Sequence, residues 1–65
     1  MPIERNKAEV IEQARQIIIY AADLIRAIQH DDDTYIVNNL VRIREARYEA
    51  LRTVQNWKPE LHVWA

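Results

Sequence analysis

The side chains of this chain most able to do chemistry are the arginines of its second half, Arg42, Arg44, Arg47 and Arg52. A guanidinium is planar, always charged, and grips carboxylate or phosphate through two parallel hydrogen bonds. At about 100° per residue, a helix through this stretch places Arg47 near the centre of its apolar arc and Arg44 close by. Arg42 and Arg52 fall outside that arc. A charge inside an apolar stripe is paired across an interface, snorkels to its edge, or is aimed at a partner. The favoured expectation is an ion pair with a Glu or Asp of a second protomer, because arginine suits interface ion pairs. The sharper alternative is an anion site, a ridge for an acidic partner or for RNA phosphates. No acid of the first half falls squarely on the facing apolar arc, so the carboxylate has to come from elsewhere.

The other chemical groups support less. His30-Asp31-Asp32-Asp33 is the densest acidic run. A calcium loop of the EF-hand type needs spaced acids and a glycine, and neither is present. Aspartates suit the start of a helix, so Asp32 or Asp33 reads as an N-cap. His30 and His62 lie far apart, and neither has a Glu at the E-x-x-H spacing of di-metal bundles. Glu45 and Glu49 share a face at i,i+4, with Arg42 and Arg52 beside them, which reads as a solvated surface. There is no Cys, Ser or Gly. The chain therefore has no disulfide, no common acyl-transfer nucleophile and no glycine-rich phosphate loop. No enzyme activity, cofactor or metal is expected.

Two helices position these groups. The spacing predicts helix 1 over about residues 3–29, with Pro2 or the Asn6/Glu9 pair at its start. Val10, Ala14, Ile17, Ala21, Leu24 and Ile28 form its seam, widened by Ile11, Ile18 and Ile25. Its polar face includes the i,i+3 pairs Glu12–Arg15 and Asp23–Arg26. Ile19 falls on that polar face, with Tyr20 near its edge. An acidic turn over residues 30–33 leads to helix 2, about residues 34–57, because Pro59 disfavours helical geometry at Lys58. Its seam is Ile36, Leu40, Ile43, Ala50, Val54 and Trp57, with Val37, Val41, Tyr48 and Leu51 beside it. A turn this short folds the helices back antiparallel. Ile28 then meets Ile36, Leu24 meets Leu40, Ala14 meets Ala50, Val10 meets Val54, and Lys7 lies over Trp57. Residues 58–65 form a tail with Leu61, Val63 and Trp64, expected to dock on its own bundle.

With 65 residues there is room for one domain, and so short a chain seldom folds without a staple or a partner. The net charge of −1 argues against a strongly basic nucleic-acid binder. The longest apolar run, Ile17 to Ala22, is far short of a membrane span, and no secretory leader is visible. A soluble cytoplasmic protein is expected.

In length and layout, with Ala14 and Ala21 alternating with Ile17 and Leu24, the chain resembles the plasmid copy-control RNA-binding hairpins. Those dimerise into antiparallel four-helix bundles. The run Arg44-Glu45-Ala46 with Tyr48, Leu51 and Gln55 resembles helix 2 of the small cyanobacterial phycobilisome-degradation adaptors, also hairpin dimers. Helix 1 departs from that family's pattern. The expected fold is an all-α antiparallel hairpin that dimerises into a four-helix bundle. The expected function is a small adaptor, inhibitor or regulator that works through protein contacts as a homodimer. RNA binding through the helix 2 arginines stands second. The candidate contact residues are Tyr20, Ile19, Arg44, Arg47, Tyr48, Trp57 and Trp64.

Overall fold

The computed structural model describes residues 3–61. They form two helices, α1 (Ile3–Gln29) and α2 (Asp33–Trp57), packed on each other as an antiparallel hairpin. The tail residues His62, Val63 and Trp64, and so the expected docking of the tail, lie outside the described residues.

Each aspartate of the central run has its own task at the turn. Asp31 takes a left-handed backbone conformation, with φ of 53°. The Asp32 amide donates to the Ala27 carbonyl at 2.9 Å, and the Asp31 amide to the Ile28 carbonyl at 3.2 Å. This 6→1 and 5→2 pair closes the end of α1 as a Schellman motif. The left-handed position is usually glycine; in a chain without glycine, a short polar residue is the next best occupant. Asp32 then caps α2, its carboxylate accepting from the Tyr35 amide at 3.3 Å. Asp33 lies in the first turn of α2, where the helix dipole favours an acid. At the far end, the Lys58 amide closes on the Val54 carbonyl at 2.7 Å, and Pro59 follows.

The helices meet along positions that alternate spacings of three and four. In α1 these are Asn6, Val10, Gln13, Ile17, Tyr20, Leu24 and Ala27; in α2 they are Ile36, Asn39, Ile43, Ala46, Ala50, Thr53 and Trp57. All are buried or half-buried. Counting out from the turn sets Ala27 level with Ile36, Leu24 with Asn39, Ile17 with Ala46, and Asn6 with Trp57. This contact lies to one side of the seam expected from the sequence. Ala14, Ile28 and Leu40 are exposed, and Lys7 is exposed rather than over Trp57, whose ring carries Lys58 at 5.0 Å instead. The apolar arc is wider than the strip one neighbouring helix covers. The hairpin contact takes the edge of the arc that carries the small residues Ala27 and Ala46, where two backbones can approach closely.

The result is a plate rather than a globule, with extents of 42 × 21 × 12 Å. A thickness of 12 Å is a single layer of helix. Among the described residues the buried ones are Ala27, Ala46, Asn6 and Asn39, and no large side chain is fully buried.

The turn geometry gives opposite outcomes for neighbouring aspartates. Asp31→Gly relieves a left-handed non-glycine and removes a negative charge from the end of α1. It should stabilise the fold by about 0.5–1 kcal/mol. Asp32→Ala removes the cap and should cost about 1 kcal/mol. Paired thermal melts check this, and a loss of stability in Asp31→Gly would contradict the turn described.

Candidate functional site

The plate has two broad faces of different chemistry. Residues one step after each contact position are rotated by about 100° in the same screw sense. Because the helices run antiparallel, both rotated sets emerge on the same face. From α1 this face receives Lys7, Ile11, Ala14, Ile18, Ala21, Ile25 and Ile28; from α2 it receives Val37, Leu40, Arg44, Arg47, Leu51 and Val54. Ile18 is 67% exposed, Ile25 58% and Leu40 51%. Such a continuous array is unlike the scattered surface apolars of ordinary monomers.

The opposite face is polar. An open groove of about 450 Å³ runs across it, lined by Gln13, Gln16, Tyr20, Arg42, Arg44, Glu45, Tyr48 and Glu49. A second groove of about 430 Å³ at the turn end is lined by Asp23, Arg26, His30, Asp32, Tyr35 and Asn39. The charged groups here are partly neutralised. Arg52 Nη1 lies 3.7 Å from Glu49 Oε1, and Arg5 Nε lies 3.6 Å from Glu9 Oε1. Glu12 accepts from Gln16 Nε2 at 3.2 Å. The expected i,i+3 pairs Glu12–Arg15 and Asp23–Arg26 do not close among the described residues. No group of His, Cys, Asp and Glu able to hold a metal occurs among them either.

The sequence candidates are split between the two faces. Arg47 is exposed on the apolar face, beside the hairpin contact, whereas Arg44 stands on the outer side of α2, between that face and the polar groove that it also lines. Tyr48 is exposed on the outer side of α2, and Ile19, 52% exposed, belongs to the polar face. Tyr20 and Trp57 are half-buried at the helix–helix contact. Trp64 lies outside the described residues. Sequence reasoning missed the buried amides Asn6 and Asn39; their signal was a strict 3–4 alternation through Val10, Gln13 and Ile17 and through Ile36 and Ile43.

Arg47 has the least ordinary electrostatics. Among the described residues, neither it nor Arg44 makes an ion pair. Between its ends the apolar face carries no acid at all; Glu4 lies at one end and Asp33 at the other. The remaining acids of both helices project to the polar face or the turn.

No helix among the described residues is long and apolar enough to cross a membrane. Comparison with protein-family models, with characterised proteins and with solved structures finds no match for this chain.

These positions fix what removing one arginine should do. Arg47→Leu adds apolar surface without stranding a carboxylate, so the isolated protein should melt within about 0.5 kcal/mol of wild type or above it. A loss of about 3–5 kcal/mol would instead reveal a buried ion pair to Arg47.

Proposed function

We propose that this chain is a small non-enzymatic regulator or adaptor that works by protein contacts through its apolar face. The observation that carries the reading is the row of exposed isoleucines of α1 beside Val37, Leu40 and Leu51 of α2. An apolar face of that extent marks a protein contact or an aggregation hazard, and it is ordered here on two regular helices. In the isolated protein a second copy laid face to face forms a four-helix bundle. Its interior would collect Ile11, Ala14, Ile18, Ala21, Ile25 and Ile28 with Val37, Leu40 and Leu51. That pairing supplies the core that the lone hairpin lacks.

A second reading, RNA binding, rests on the unpaired Arg44 and Arg47. It stands behind the first because Glu45 and Glu49 interleave with the arginines of α2 and Arg52 is already engaged by Glu49. Phosphate recognition needs a basic surface, and the chain carries a net charge of −1.

Light scattering at micromolar concentration should return about twice the 7.8 kDa chain mass. Ile18→Asp, on the apolar face, should reduce it to the chain mass, whereas Ile19→Asp, on the polar face, should not. A folded wild-type monomer at that concentration would remove the self-pairing, and equal effects of the two substitutions would remove the assignment of the face.

A further inference from the structure

The pairing face is apolar and cationic at once, and that combination selects its occupant. Arg47 sits within it and Arg44 on the outer edge of α2, between this face and the polar groove, and neither has a carboxylate partner among the described residues. The acids at its ends, Glu4 and Asp33, are far from Arg47 along a plate 42 Å long. Arg47 is near the middle of α2, so a second copy docked antiparallel brings its own Arg47 to the same level. A copy docked parallel does the same. Self-pairing therefore gathers guanidinium groups in an apolar setting with no anion to meet them, and burying an uncompensated charge is costly.

We propose that the preferred occupant of this face is not a second copy but an amphipathic helix of another protein, whose apolar stripe is flanked by Asp or Glu. This rests on the reading that the apolar face is the binding surface. The surface between the axes of α1 and α2 on this side carries the exposed isoleucines of α1 and Leu40 and Leu51 of α2. A third helix laid along it buries its own apolar stripe there, the helix-in-groove mode of recognition. Carboxylates along one edge of the stripe then reach Arg47 and Arg44, and arginine grips a carboxylate through two hydrogen bonds. Electrostatic complementarity of this kind sets partner choice more than raw affinity. The self-paired form is then a reserve state, which the acidic helix displaces.

The test uses two synthetic helical peptides with the same leucine stripe. Each has roughly 28 residues, enough at about 1.5 Å per residue to span the 42 Å plate. One carries Glu beside the stripe, and the other carries Gln at those positions. Binding to the full chain is followed by fluorescence anisotropy. The Glu peptide should bind about tenfold or more tightly than the Gln peptide, and the difference should vanish in the double variant Arg44→Gln, Arg47→Gln. Circular dichroism confirms that this variant is helical. Equal binding of the two peptides, or a preference that survives in the double variant, overturns the proposal. If neither peptide binds while wild type self-associates and Ile18→Asp does not, the acidic helix is overturned and self-pairing stands. If neither binds and wild type is a monomer, the pairing reading falls with it. Displacement of the Glu peptide by a structured RNA, lost in the double variant and steeply salt-dependent, overturns it in favour of phosphate recognition.

Discussion

The constraint on which everything else depends is that two helices make only one layer. Stable domains bury apolar faces between at least two layers, and the described residues form a single layer with no second layer over either broad side. The apolar arc of α1 runs from Val10, Ile17 and Leu24, which the hairpin partly covers, to Ile11, Ile18 and Ile25, which it leaves in water. α2 divides in the same way, with Ile36 and Ile43 half-buried and Val37 and Leu40 exposed. One contact cannot cover both edges of such an arc. The hairpin takes the edge carrying Ala27 and Ala46, which it buries, and leaves the isoleucine edge exposed.

The turn makes this division definite. A Schellman closure at Asp31 followed at once by an N-cap at Asp32 permits little freedom in how α2 leaves α1. With that exit fixed, the register follows, and Asn6 and Asn39 take positions in the contact that a longer loop could have avoided. Both amides are buried at the residue level, yet no buried side-chain polar atom is left without a partner among the described residues. Polar residues at contact positions weaken a seam but fix its register, as a single polar residue does in coiled coils. The hairpin contact thus specifies geometry, while Ile11, Ile18, Ile25, Ile28, Val37 and Leu40 stay more than half exposed outside it.

Much of the architecture was legible in the sequence because its signals are local. The acidic run marks the turn, Pro59 discourages helix at Lys58, and unbroken 3–4 periodicity does the rest. The hairpin contact was harder to see. Periodicity finds the middle of an apolar arc, which here pointed to Ala14, Ile28 and Leu40, whereas the hairpin contact lies one residue to the side, at Gln13, Ala27 and Asn39. That offset of one residue turned Leu40 outward and Asn39 inward. Arg47 stood out in the sequence for its place in the arc; what it faces could not be read there, because that depends on which edge the hairpin takes. The separation of Ile18 from Ile19 onto opposite faces was legible, since 100° per residue puts consecutive residues on different sides. Which of the two faces had been left uncovered was not.

The central claim is that the isoleucine face is covered in the working protein and the opposite face is not. Ile18 and Ile19 are adjacent in sequence, lie on opposite faces, and are both more than half exposed in the lone hairpin. A soluble paramagnet that bleaches solvent-facing methyl signals in NMR tests the claim directly. The account predicts that the methyls of Ile18 and Ile25 are protected in the folded protein while that of Ile19 is bleached. Equal bleaching of Ile18 and Ile19 in a fully helical sample would contradict it.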